Sequence, residues 1–470
     1  MSALPGMIGL LVFIYARPHE FFKELQDYNF LYIFLFLSLV GIAHDISEKR
    51  TRLMMTPMHK WVFALAGWCV VSLAIRRPDL VTTRAVGIVV SLVLFLVIAM
   101  GAQRISGLMK ILGTIFFLGV FVAYVGADQG LSPFQCVMYA PGTRNGKAYP
   151  DGRECEMKEP DGSPHDGTVD CIATGKPGNT YQCERAGLFG TTSVGGGRVR
   201  YLGVLQDPNE LALATAFVVP FAFAFLEIRT TIFRLALLLV TLAVVGLEVV
   251  FTGSRGGQVT LGAVLGAYFV KKYGIMRGAI VGAVLVVPVI MLGGRSSDEA
   301  DASTLERLGC SCAGIKMLTF YPFTGVGYSN FTEHHHLTAH NAYILAAGEL
   351  GAPGMFFFAF VLFLAIKIPL SIMRFPMVDN QDARTLRAIA MAILAIFVGA
   401  VIGIFFLSWT YHYVLWIHFG LVASLYTVMK RLYPTFEVKL TWKEARAVMA
   451  GYIAFLLVWT HYIKSKGAWD

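Results

Sequence analysis

"NAYILAAGELGAPGMFFFAFVLFLAI", residues 341–366, is apolar along almost its whole length and holds one charged side chain, Glu349. At about 1.5 Å per residue, such a run crosses the ~30 Å hydrocarbon core of a bilayer as a helix. Similar runs lie at 4–16, 29–43, 60–75, 85–100, 107–126, 209–226, 235–252, 257–272, 278–292, 388–408 and 412–429. They predict twelve transmembrane helices, with a thirteenth over 447–463. Composition agrees: 56% of residues are hydrophobic and 15% charged, where a soluble domain carries about a quarter charged. The expected fold class is all-α, a polytopic membrane helix bundle with two sizeable outer loops. The first run lacks a charged lead, and Arg17 stands where a cleavage site would, so it reads as a first span and not a removed signal.

Orientation follows from short-loop charge. "SEKRTR" (47–52), Lys60, Arg104, Lys110, Arg229, Arg234, "KKYGIMR" (271–277), Lys367, Arg374, Arg384, Arg387 and "KR" (430–431) all fall in one set of loops. With the N-terminus inside, that set is cytoplasmic, and it accounts for much of the net charge of +9. "RRPDLVTTR" (76–84) falls outside against the rule and reads as local noise. No RNA-binding motif or basic helix is present, so nucleic acid is set aside as a partner.

The expected organisation is five N-terminal helices (1–126), a Cys-rich outer insertion (127–207), helices six to nine (208–292), a second outer loop (293–339), and the C-terminal helices with a tail (340–470). The insertion is rich in Gly, Pro and Asp, and its turn chemistry predicts little regular structure. Six of the seven cysteines lie in outer loops, and only Cys69 is in a span. Cys136, Cys155, Cys171 and Cys183 fit two disulfides in an oxidising compartment, with three connectivities open. A zinc site is the rival reading, although no C-x-x-C occurs. Cys310 and Cys312 could pair, bridge to the insertion or stay free.

Three outer motifs carry candidate chemistry. "YLGVLQDPNELALATAF" (201–217) opens a span: Asp207 suits a helix cap, Pro208 the first helical position and Glu210 the third. Asn209 fits capping less well, and its amide could hold a sugar or phosphate. "FTGSRGGQVTLG" (251–262) sets Arg255 between glycines, where a guanidinium can clamp phosphate. The bland alternative is an arginine reaching lipid headgroups. "STLERLGCSCAGIKMLTFYPFTGVGYSNF" (303–331) reads as an amphipathic outer helix followed by a turn. Arg307 is a second phosphate candidate with Glu306 to orient it, and Arg295 competes for that role. Tyr328 and Asn330 could shape a pocket.

The histidine run "TEHHHLTAHN" (332–341) admits a metal site, a solvated loop end, or one working base among bystanders. Carboxylates near it are sparse, which weighs against metal. His340, beside Asn341 at the start of a span, can be partly desolvated and kept neutral. A neutral imidazole can accept a proton from an alcohol. Glu349 lies roughly 13 Å deeper along the helix and on its other side, so it reads as a support for the helix or a partner for another span's arginine. Pro353, between Gly351 and Gly354, should kink this helix.

"DPNELA", "TGSRGG", "ERLG…PFTGVGY" and "AHNAYILAAGELGAPG", in that order and on one side, resemble the O-antigen ligase and polymerase family of bacterial envelopes. The resemblance covers about 198–360. It implies a multi-pass enzyme of the bacterial inner membrane whose site faces the periplasm, so the loop over 293–339 would be the catalytic one. It implies transfer of a glycan from undecaprenyl diphosphate to a hydroxyl of lipid A–core, a growing polysaccharide or a protein, inverting and without metal or other cofactor. Carried over, His340 is the base and Arg255 and Arg307 hold the diphosphate. Asn209, Tyr328, Asn341 and Glu349 bind substrate or support the site. The Cys-rich insertion departs from the family's pattern and leaves the acceptor's identity open. A transporter of lipid-linked sugars is the rival class, but it would want more charge at the membrane midplane.

Overall fold

The computed structural model describes residues 2–139, 148–156, 171, 180–278, 280–282, 284 and 297–469. Helices α1 (Leu4–Tyr15), α2 (Pro18–Phe21), α3 (Phe30–Ser47), α4 (Pro57–Arg76), α5 (Val81–Gly101) and α6 (Ile105–Leu131) come first. Strands β1 (Phe134–Tyr139), β2 (Ala148–Glu154) and β3 (Thr180–Arg185) follow. Next are α7 (Pro208–Ala216), α8 (Val219–Ile228), α9 (Ile232–Phe251), α10 (Arg255–Tyr273), α11 (Ser297–Phe320) and α12 (Phe331–His334). The chain closes with α13 (Ala342–Arg374), α14 (Gln381–Gly403), α15 (Tyr413–Leu432) and α16 (Trp442–Ser465).

The protein is an all-α polytopic bundle. Ten helices among the described residues are long and apolar enough to cross a membrane, with α7 and α8 forming one span. The difference from the twelve expected has physical causes. Helix α1 has 12 residues, about 18 Å at 1.5 Å per residue, which is short of a bilayer core. Helix α10 opens with the polar "RGGQVT" and is less apolar than the others. The span expected over 278–292 lies mostly outside the described residues. The segment expected as a thirteenth span is a full helix of 24 residues, α16. Large apolar side chains on the bundle's outside, such as Phe36, Phe117 and Leu239, are exposed, as lipid-facing residues would be.

Two helices are broken where their sequences dictate. Between α7 and α8, Pro220 has no N–H to continue the ladder, and the Val218 N–H turns to the Thr215 carbonyl at 3.2 Å. In α13 the break comes at Gly351, with φ +64 and ψ −167, a conformation open to glycine. The kink expected at Pro353 is therefore carried by the glycine two residues earlier.

The insertion corrects one expectation. Instead of lacking regular structure, it forms a three-stranded antiparallel sheet in the order β2–β1–β3. Two disulfides, Cys136–Cys171 and Cys155–Cys183, hold it. They pick one of the three connectivities left open. Cys136, Cys155 and Cys171 are the group among the described residues close enough to share an ion, and all three are committed to these bonds. Cys69, Cys310 and Cys312 are buried and take no part in these two disulfides. Arg185 fastens the sheet to the end of α6, donating to the carbonyls of Gly130 (2.8 Å) and Ser132 (2.7 Å).

Candidate functional site

The sheet, the α9–α10 turn, the 321–341 segment and the α14–α15 turn all lie at one end of the bundle. Asp207 caps α7, its Oδ1 accepting from the Asn209 backbone N–H and the Asn209 Nδ2, each at 2.7 Å. The freed Asn209 Oδ1 accepts from Ser254 Oγ at 2.7 Å. Ser254 in turn caps α10 by accepting from the Gly257 N–H at 3.0 Å. The two candidate motifs "DPNE" and "TGSRGG" are thus joined cap to cap. Arg198, which the sequence reading passed over, donates from Nε to the Thr252 carbonyl at 2.8 Å, and its Nη2 lies 3.5 Å from Asn209 Oδ1.

Arg255 is the first residue of α10 and is exposed. Among the described residues its guanidinium has no hydrogen-bond or ion-pair partner. Behind it the helix is packed tightly: a Cβ on Gly256 would stand 3.0 Å from Phe406. The first turn of α10 therefore rests on the α14–α15 turn, and Arg255 opens beside it.

That turn, "FFLSWTYHY" (405–413), organises the histidine. His340 has φ +48, a left-handed backbone that costs a non-glycine residue about 1–2 kcal/mol. Its N–H donates to Ser408 Oγ at 2.9 Å, and the Thr338 hydroxyl donates to the same oxygen at 3.0 Å. Thr410 Oγ1 donates to the Ala342 carbonyl at 2.8 Å. The His340 side chain is half-buried. Burial, then the Arg307 guanidinium, hold its pKa below the usual histidine value, with Asp207 and Glu306 pulling the other way. Arg307, Asp207 and Glu306 are therefore within electrostatic reach of the ring. Arg307 is half-buried on α11. Arg295 lies outside the described residues.

The aromatic residues of the turn stiffen it. Trp409 and His412 stack at 4.0 Å between centroids, 2° from parallel. The His412 Nε2–H donates to the Val204 carbonyl at 2.9 Å. Burial holds the His412 pKa down to about 4, so this ring stays neutral.

The other named residues take supporting positions. Asn341 caps α13, its Oδ1 accepting from the N–H groups of Tyr343 (3.0 Å) and Ile344 (3.2 Å). Tyr328 is buried and meets Tyr411 edge-on at 4.6 Å. Glu349 is buried, and its Oε1 accepts from the Phe331 N–H at 2.9 Å. The Tyr411 hydroxyl lies beside the same carboxyl. Glu349 thus joins the 329–331 segment to the interior.

The break in α13 completes the frame. It frees the carbonyls of Gly348, Glu349 and Leu350. These accept from Val326 N (2.9 Å), Gly327 N (2.9 Å) and Trp68 Nε1 (2.8 Å). The Ala352 N–H goes to the Pro322 carbonyl at 2.7 Å. A turn with Gly325 at φ +59 makes this approach possible, since a Cβ there would lie 2.3 Å from the Glu349 carbonyl carbon.

The basic run at 76–84 is not noise. Arg76 donates from Nε to Thr324 Oγ1 (2.8 Å) and the Gly325 carbonyl (3.0 Å), and stacks over Tyr321 at 3.9 Å. Arg77 and Arg84 both pair with Glu333, and Arg84 also reaches the Ser329 carbonyl at 2.9 Å and Asn330 Oδ1. These arginines escape the charge rule because they bind protein carbonyls and a carboxylate. His334 and His336 are exposed, and His335 turns its Nδ1 to accept from the Leu337 N–H at 3.2 Å.

A membrane-embedded bundle that gathers capped helix starts, arginines and a neutral-leaning histidine at one end has the makings of a group-transfer site on an anionic substrate. Residues 235–359 match the O-Antigen ligase family model (Wzy_C), so that stretch of the chain is similar to the family. No curated protein matches the chain. The matched stretch holds Arg255, Arg307, Tyr328, His340, Asn341 and Glu349, while Asp207, Asn209 and Ser408 lie outside it.

Proposed function

We propose that the protein transfers a glycan from undecaprenyl diphosphate to an acceptor hydroxyl at the periplasmic face of a bacterial inner membrane. The family match supports glycan transfer in general. The observation that carries the finer reading is His340, held by Ser408 in a left-handed turn with the Arg307 charge within electrostatic reach of its ring.

The chemistry balances with these groups. The acceptor O–H gives its proton to the neutral His340 ring as its oxygen attacks the anomeric carbon. The bond from that carbon to the diphosphate breaks, its electron pair leaves with the diphosphate, and the configuration inverts. A diphosphate leaves readily, so a general acid is not required. The negative charge it gains is met by guanidinium groups in a partly dry site, the role given to Arg255 and Arg307. This differs from glycoside hydrolysis, where paired carboxylates act on a poor leaving group. The reading requires no metal or cofactor. Asn209, Asn341, Tyr328 and Glu349 keep the frame, with the Asn209 amide bonded to Ser254, the residue before Arg255.

The acceptor is a sugar hydroxyl of lipid A–core in the ligase reading. A polysaccharide polymerase or a protein O-oligosaccharyltransferase uses the same step on another acceptor. The test is transfer by the purified protein from an undecaprenyl-diphosphate glycan. His340→Ala should lower the rate by about 10²–10⁴-fold, and unchanged activity overturns the mechanism. Envelope polysaccharide from a deletion strain separates the acceptors. A lost ladder with intact lipid-linked precursor marks a ligase, and accumulated single repeats mark a polymerase.

A further inference from the structure

The end of the bundle away from His340 carries a second charged constellation that the transfer step does not use. Arg50 and Arg52 lie in the α3–α4 connection, Arg104 just before α6, and Arg431 near the end of α15. The backbone beneath them is fixed. Gln103, 2% exposed, donates from Nε2 to the Arg52 carbonyl at 2.7 Å and accepts from the Arg52 N–H at 3.1 Å. Arg431 reaches across both connections, its Nη1 donating to Gln103 Oε1 at 3.0 Å and its Nη2 lying 3.4 Å from the Arg50 carbonyl. The charges of Arg104 and Arg52 act on Arg431.

These guanidinium groups are gathered by an amide and by carbonyls, not by acids. The nearby carboxylates, Asp45 (3.9 Å) and Glu48 (3.7 Å), both face Arg50. Asp45 is buried and also accepts from the Ala3 N–H at 3.3 Å. The side chains of Arg52 and Arg104 have no hydrogen-bond or ion-pair partner among the described residues. Like charges held together this way repel until an anion joins them. Immediately after Arg52, Leu53 and Met55 are 72% and 68% exposed. A soluble phosphate would have no use for that apolar pair, and an amphiphile would.

We infer that this end of the bundle binds an anionic phospholipid, its phosphate between Arg52, Arg104 and Arg431 and its acyl chain along Leu53 and Met55. Clustered arginines at a membrane surface recognise acidic headgroups in this way. The site is separate from the glycan donor's and stands whether or not the proposed transfer is correct.

The full-length protein is exchanged into mixed micelles of phosphatidylglycerol and phosphatidylcholine, and retained lipid is read by native mass spectrometry. The wild type should retain phosphatidylglycerol by about tenfold over phosphatidylcholine. The R52Q/R104Q variant should lose that preference to within about twofold. K271Q/R277Q, which removes two exposed charges from the same end, should keep it. Equal retention of both lipids by the wild type overturns the inference, as does equal loss in the two variants. Displacement of the lipid by millimolar inorganic phosphate would reassign the site to a soluble anion. Both arginines of the first variant are exposed, and R104Q alone serves if the pair does not fold.

Discussion

The backbone N–H of His340 is bonded to the hydroxyl of Ser408, 2.9 Å away and 68 positions further along the chain. The candidate base is thus held from another helix connection, through its backbone, leaving the ring free to take a proton. Ser408→Ala should lower kcat about five- to tenfold, the worth of one hydrogen bond of about 1 kcal/mol, with donor KM within twofold. Ser408→Thr should recover most of the loss. Steady-state kinetics of both variants check this, and an unchanged Ser408→Ala would free the turn from any positioning role.

The left-handed backbone at residue 340 suits glycine at least as well as histidine. His340→Gly should therefore fold normally yet transfer no glycan. Added imidazole should restore part of the activity, and a thermal melt beside the assay shows whether the fold survived.

Burial and Arg307 both lower the His340 pKa. The neutral ring persists further into acid, so kcat/KM should fall only as pH drops through a midpoint below 6.5. Arg307→Gln removes one lowering influence and should move that midpoint upward. A midpoint unmoved by this change would place the Arg307 charge out of reach of the ring.

Gly325 and Gly351 combine positive φ with close backbone contact. Gly325→Ala should destabilise the protein by about 2 kcal/mol or more through backbone strain alone. Gly67→Ala is the matched control, since nothing lies within 4 Å of its Cβ position. Thermal unfolding in detergent compares the two.

Removing the Cys136–Cys171 bond, which closes 35 residues, should cost the sheet about 3–4 kcal/mol on the chain-entropy account. Limited proteolysis of Cys136→Ser/Cys171→Ser should cut within 148–185 well before any site in the helices.

The helices were legible because bilayer thickness imposes one length on every apolar run, and Glu349 announced itself as a lone charge inside one. Arg255, Arg307 and His340 could be picked out because their residue types stand against apolar or glycine-rich surroundings. Ser408 could not, since a single serine between two spans carries no periodicity and its value lies in reaching residue 340. Asp207 read as a helix cap, and it is one, but its charge also bears on His340. The run at 76–84 did send a signal: arginines on the wrong side of the charge rule, which the carbonyls and carboxylate of 324–333 explain. The sheet stayed hidden because short strands among turn residues depend on disulfides that spacing alone does not pair.

The break in α13 borrows a donor from Trp68, and the segment beside it borrows Arg76 and Arg84, while Ser408 arrives near the end of the chain. During synthesis, then, the early helices must wait in the bilayer with these groups uncommitted until the last spans are threaded. The excised stretch 235–359 would lack both the early and the late contributors, and a ribosome stalled before residue 408 would leave an inert intermediate in the membrane.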